Sequence, residues 1–387
     1  MSIEKNEPVV RTRLGWIDII RIIACVLVIL QHCSDPYYMN FDLSGGDFYA
    51  GCGLASLSRP CVPLFVMITG ILLLPAKDSA ATFYRKRIGR ILPPLVFWSL
   101  LLPWVDFVWL GNLWNSASPA VDASGYTLEA TLRKCCTFIF NFNYSTTPLW
   151  YLYMLIGLYL VMPILSGWMR SASKRDLQLG IAVWLVSTFL PYIRLVAPLL
   201  GYEGNFGNMG LWGECDWTSY GSLYYVSGFA GYLVLGHYLR TYPLRWSMRR
   251  TLLVFVPLFL AGFAVSFGGY VLMAARFPGQ YAYLEIVWWT CGINVVLQTV
   301  SVFVILKKWF SEHHVLAVAG KIAALTFGIY LCHFPVAQMS YDIFQKYLPA
   351  GIPAAVRILI NVAVAFAVSA VIVKALKACK LTNRFVA

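Results

Sequence analysis

Residues 16–35 read WIDIIRIIACVLVILQHCSD. At 1.5 Å per residue, a helix over this stretch spans about 30 Å, the thickness of a bilayer's hydrocarbon core. Most of its circumference is apolar, so lipid or other apolar helices must surround it. Three groups break the pattern: Asp18, Arg21 and His32. Asp18 and Arg21 are i,i+3 neighbours and can pair. Arg21 to His32 is about 20° past three full turns, and Asp18 to His32 about 40° short of four. All three share one stripe, with His32 about 16 Å beyond Arg21. A charge at the bilayer centre costs at least about 2.5–3.5 kcal/mol, so the stripe faces the protein interior. A structural ion pair with an interfacial histidine fits this spacing, and so does a reactive stripe.

The rest of the chain repeats the pattern. Only 12% of the 387 residues are charged and 59% are hydrophobic, where soluble domains carry about 25% charge. Further apolar spans fall at 51–74, 91–110, 149–169, 178–198, 219–240, 252–274, 284–306, 320–340 and 352–375. The expectation is an all-α, polytopic membrane protein of about ten transmembrane helices. Lys and Arg test the order of the loops. With the N-terminus inside, 22 of the 30 fall in predicted cytoplasmic segments and 4 in outer loops, as the positive-inside rule requires for both termini in the cytoplasm. Segment 1–15 is then an N-terminal cytoplasmic stretch, 16–376 the membrane domain and 377–387 a cytoplasmic tail. The first apolar run is longer than a signal peptide's core, so no cleavable signal is expected. The net charge of +13 is spread in short clusters rather than on one face, which argues against a nucleic-acid partner. The ten cysteines form no CxxC pair or zinc-like spacing, so no metal is expected. A Cys33–Cys52 disulfide is open.

Polar groups elsewhere in the spans mark an interior. In the second span Arg59 sits between apolar runs, next to Pro60 and near Pro63. Prolines remove backbone N–H donors, and broken backbone at membrane depth lines a cavity or packs on protein. Arg59 falls at a depth similar to His32, as a helix clamp or as a cation for a developing oxyanion. Asp106, Arg194, Glu285 and Arg357 lie in the outer halves of spans, with Asn294, Gln298 and His333 nearer the middle. Together they imply an interior cavity open to the outside, with Asp106 and Arg357 the best candidates to snorkel. His237, His313 and His314 read as solvated. Trp114, Asp122, Glu129, Glu203, Trp212, Glu214, Asp216 and Trp217 make the outer loops acidic and aromatic. That composition suits sugar rings and equally an interfacial belt. On the cytoplasmic side, FYRKRIGRILPP at 83–94 brings Arg85, Arg87 and Arg90 to one helix mouth. They serve as positive-inside anchors or as a phosphate dock.

The spacing of Arg21 and His32, with SRPCVPLFVMITGILLL at 58–74, FYRKRIGRILPP, PLWYLYMLIGLYLVMPIL at 148–165, YLVLGHYL at 232–239 and FGIYLCHFPV at 327–336, resembles acyltransferase family 3. These are multi-pass bacterial O-acyltransferases, and the last four pieces resemble the branch that acetylates surface polysaccharides. The resemblance covers residues 16–340. It implies a protein of the bacterial cytoplasmic (inner) membrane that moves an acetyl group from cytoplasmic acetyl-CoA to a hydroxyl of a cell-surface or lipid-linked glycan. In that scheme His32 is the general base or, alternatively, carries the acyl group, Arg59 meets the oxyanion, and Arg21, held by Asp18, aligns the donor. Arg85, Arg87 and Arg90 take the phosphates of the acyl-CoA. His333, Trp150 and Glu285 are the expected acceptor contacts. The rival reading is a transporter or flippase of glycan precursors, although the chain lacks the half-repeat many carriers have.

Overall fold

The computed structural model describes residues 14–386, except 115, 117, 120, 122–124, 140–142, 202–225, 314, 316 and 350. Among the described residues there are helices and no strand. The order begins with α1 (Gly15–Tyr38), α2 (Gly46–Ser58), α3 (Cys61–Leu73), α4 (Ala80–Val108) and α5 (Leu128–Thr137). It continues with α6 (Trp150–Ser171), α7 (Lys174–Ser187), α8 (Leu190–Val196), α9 (Ala230–Thr241) and α10 (Met248–Arg276). The last five are α11 (Tyr281–Leu284), α12 (Ile293–Glu312), α13 (Ala317–Ala323), α14 (Thr326–Tyr347) and α15 (Ala354–Ala378). Eight stretches are long and apolar enough to cross a membrane, or nine if α13 and α14 count as one span bent by 57°. The expected span at 219–240 begins outside the described residues and ends as α9. The chain is an all-α, polytopic membrane protein.

α1 is the hub. It packs against α2, α3, α12, α13, α14 and α15, burying Ile17, Ile20, Ala24, Val28 and Ile29. Of its most apolar window 56% is buried, against 17% for α10, whose Leu253, Leu260 and Leu272 are exposed and suited to lipid. A central α1 explains why its ionisable stripe turns inward. The next span is broken between α2 and α3 at Arg59–Pro60. Pro60 and Pro63 stand at the start of α3, where the missing N–H groups have no intrahelical partner to lose. α3 and α9 cross at glycines: a Cβ on Gly70 would lie 2.1 Å from the Leu233 carbonyl oxygen, and one on Gly236 would lie 2.4 Å from that of Met67. Such backbone contact is how helices hold together where no water drives them together.

The polar contacts sort into two ends. At the basic end Arg240 donates to Ile71 O (2.6 Å) and Lys377 to Ala324 O (2.6 Å), while Arg170 and Lys307 reach Ala76 O and Leu239 O. The chain beyond α15 turns back here. Phe385 stacks on Phe97 at 4.3 Å, the Trp98 indole donates to Phe385 O at 3.0 Å, and Val386 is buried. At the opposite end Arg357 pairs with Asp47 at 2.8 Å, and a second apolar cluster gathers Tyr38, Phe48, Tyr270, Leu284 and Trp288.

Several polar residues differ from expectation. The predicted span 284–306 starts late, at Ile293, because Gly292 caps α12 in an extended conformation; Glu285 therefore lies before the helix. Asn294 and Gln298 are buried between helices. Asn294 donates to Ser266 Oγ and Val287 O and accepts from Tyr192, and Gln298 donates to Ser266 Oγ, so both clamp α12 to α10 and the turns beside it. Asp106 does not snorkel but is buried, 4% exposed. Cys33 and Cys52 are free and buried. Asp122, Glu203, Trp212, Glu214, Asp216, Trp217, His314 and the Arg194 side chain lie outside the described residues.

Candidate active site

Arg21, Arg87, Arg90 and Lys377 converge on one cavity of about 460 Å³ at the basic end. α1 supplies Arg21, α4 the next two and α15 the lysine. Its remaining wall includes Phe65, Thr69, Tyr151, Tyr159, Phe327 and Tyr330. Among the described residues four cations and no carboxylate line it. Asp18, 3.9 Å from Arg21, is the acid nearest to hand. Arg87 Nε is buried without a hydrogen bond among the described residues. Clustered guanidinium groups suit a polyanion, since Arg takes phosphate in a bidentate fork, and the aromatic wall suits a flat base. Arg85 is on the exposed face of α4 and does not line the cavity. Lys377 does, a residue the sequence places in the tail.

Further along α1 is a second constellation. His32 Nδ1 lies 2.9 Å from Asp35 Oδ2, one helical turn on. With the carboxylate accepting the Nδ1 proton, Nε2 keeps its lone pair. Asp35 is fixed from the other side by the Tyr38 hydroxyl (2.6 Å) and the Gln31 amide (3.1 Å). Gln31 in turn accepts from Ser58 at 2.7 Å, which ties α1 to α2. The His333 ring, fully buried, stands 5.4 Å from that of His32. His333 donates Nδ1–H to Tyr330 O at 2.7 Å, and its Nε2 is unpartnered among the described residues. Phe334 sets its edge on His32 at 5.0 Å. Tyr330 belongs to the cavity wall, so one turn of α14 links the cationic chamber to the histidine pair.

Arg59 closes the far side. Its guanidinium stacks on Trp288 at 4.4 Å, and its Nε donates to Ala55 O at 3.1 Å. Trp288 donates to Ser56 Oγ, stacks on Tyr270 at 3.7 Å and meets Tyr38 edge-on at 5.0 Å. The terminal nitrogens of Arg59 make no hydrogen bond among the described residues and can serve an oxyanion. Glu285 is exposed and within electrostatic reach of Arg59 and Asp35. Trp150 packs on Phe229 at 6.0 Å, and its neighbour Tyr151 lines the cavity instead. His237 is held by Leu74 O at 3.1 Å and His313 by Trp309 O at 2.7 Å.

The structure thus brings Asp18, Arg21, Arg87 and Arg90 together, and separately His32, His333, Arg59 and Glu285. Sequence reasoning omits Asp35, Gln31, Tyr38, Trp288 and Lys377. Asp35 is three residues past His32 and carries the same periodic signal as Asp18 and Arg21; the others depend on contacts distant in sequence.

Residues 14–374 match the model of the acyltransferase domain of acyltransferase family 3, nearly the whole chain. No curated protein and no solved structure matches. The match begins at the foot of α1 and ends inside α15, enclosing the histidine constellation and all of the cationic one except Lys377, and the chain belongs to this family of membrane acyltransferases.

Proposed function

We propose that this protein is an O-acetyltransferase that takes acetyl from acetyl-CoA on the cytoplasmic side and delivers it to a hydroxyl of a cell-surface or lipid-linked glycan. The cell is bacterial, the membrane its cytoplasmic one, and the basic end faces inward by the positive-inside rule. The observation that carries the reading is the cavity of four cations whose wall residue Tyr330 is one helical turn from His333, beside His32. In it, Arg21, Arg87, Arg90 and Lys377 hold the phosphates, and the pantetheine arm runs along α1 toward His32.

His32 Nε2 takes the proton from the acceptor hydroxyl as the oxygen attacks the thioester carbonyl. Asp35 steadies the imidazolium that forms. Arg59 offers its free N–H groups to the tetrahedral oxyanion. Collapse breaks the C–S bond, and the proton on His32 passes to the leaving thiolate. The acceptor enters from the opposite end, past Glu285 and His333.

The test is thiol release by purified protein given acetyl-CoA and surface glycan. Wild-type protein releases CoA and acetylates the glycan, whereas His32→Ala binds acetyl-CoA yet releases none. Glycan flux across vesicles with no thiol release would support the transporter reading instead.

A further inference from the structure

Asp106 is an anomaly that the reaction above leaves unused. It sits in the last turn of α4, immediately before the π-helical turn Trp109–Leu113, and is 4% exposed. Its Oδ2 and the Ser145 hydroxyl beside it make no well-formed hydrogen bond among the described residues. A carboxylate buried in a membrane helix is costly, and one left partly unpartnered more so. Lys134, the cation within electrostatic reach, is engaged elsewhere: it donates to Gly125 O at 3.2 Å and lies over the Tyr126 ring at 4.4 Å. The Tyr144 hydroxyl is likewise buried and unpartnered among the described residues. Tyr144 is within electrostatic reach of both Asp106 and Asp35. Its ring meets Phe334 at 5.3 Å, and Phe334 meets His32 at 5.0 Å. A π-helical turn is itself a frequent companion of functional sites.

Resting on the glycan-acyltransferase reading, we propose that Asp106 and Tyr144 form the acceptor subsite and hold one sugar ring beside His32. A carboxylate oxygen accepts from one sugar hydroxyl, and the phenol donates to a neighbouring one or accepts from it. A third hydroxyl of the same ring then faces the imidazole. An apolar alcohol leaves both groups unpaired, so the chemistry selects a polyol. At the rim Trp109 and Trp114 stack at 5.1 Å, with Trp109 held by Asp342 at 3.2 Å; they offer an aromatic face to the next ring along the chain.

The test is calorimetric titration of the full chain in detergent with methyl glucoside and methyl galactoside. Wild-type protein binds at least one. Asp106→Asn and Tyr144→Phe each weaken that binding by about tenfold, the usual loss for one hydrogen bond to a charged or buried partner. Acetyl-CoA titration checks that the variants fold. Should Asp106→Asn fail it, Tyr144→Phe, which removes a single oxygen, decides alone. Wild-type protein that binds neither glycoside, or variants that bind as wild type does, would overturn the subsite. The two readings fail separately. Glycoside binding lost in the variants, with no thiol release by wild type, keeps the subsite and removes the transferase. Glycan acetylation by wild type, with undisturbed glycoside affinity in both variants, does the reverse.

Discussion

An imidazole is an effective base only when its ring is held and its tautomer chosen. Asp35 does both for His32, and Tyr38 and Gln31 hold Asp35 in turn. Replacing Asp35 by Asn keeps the shape but offers an amide to Nδ1, which allows the wrong tautomer. Asp35→Asn is expected to lower kcat by about 10²–10⁴-fold with acetyl-CoA affinity unchanged, as read by single-turnover thiol release beside a binding titration. Equal losses in both would make Asp35 a structural residue. Much of this centre is legible within one helix, because Asp18, Arg21, His32 and Asp35 obey the arithmetic of 3.6 residues per turn. Trp288 is not. Its place under Arg59 comes from the fold of a loop more than two hundred residues away.

Helices are where the sequence speaks most plainly, since crossing lipid demands long apolar runs. Where such a run ends is less plain. Ile286, Val287 and Trp288 are apolar enough to extend α12 backward, but they are buried in a turn against α10. Apolarity marks burial and does not distinguish a buried turn from a helix. The α3–α9 crossing is equally invisible to hydropathy, because glycine is unremarkable on any such scale. It carries a sharp expectation: Gly70→Ala places a methyl carbon against the Leu233 backbone, where no side chain can yield. Overpacking of this kind costs about 1–3 kcal/mol. Thermal melting in detergent should fall by several degrees, while Gly89→Ala, inside α4 with nothing within 4 Å of its Cβ, should melt no lower than wild type, since Ala favours the helix.

Over the whole molecule, orientation is the property on which the chemistry depends. Cys379 is exposed at the basic end, just beyond α15, and Cys136 is exposed on α5. Backbone N–H groups of Leu381 and Thr382 pull the Cys379 thiol below its ordinary range, so it is the readier nucleophile at neutral pH. In sealed right-side-out vesicles a membrane-impermeant maleimide should label Cys136 and spare Cys379; inverted vesicles should give the opposite result. Labelling of both from one side would refute the expected topology, in which α5 and the C-terminus lie across the membrane from each other. The alternation of basic loops is what predicts this arrangement from sequence. The cavity itself is not so predicted, because its seven helices are drawn from nearly the full length of the chain.

Tyr330, at the wall of the cationic chamber, and His333 and Phe334, on the side toward Tyr144, are each buried. A cell that stores energy as an ion gradient cannot tolerate an open bore through its membrane. In the proposed reaction this layer of rings would act as a gasket, past which an acyl group moves when side chains rotate. The energy of the donor's thioester would then be spent on one face and collected on the other without any current flowing.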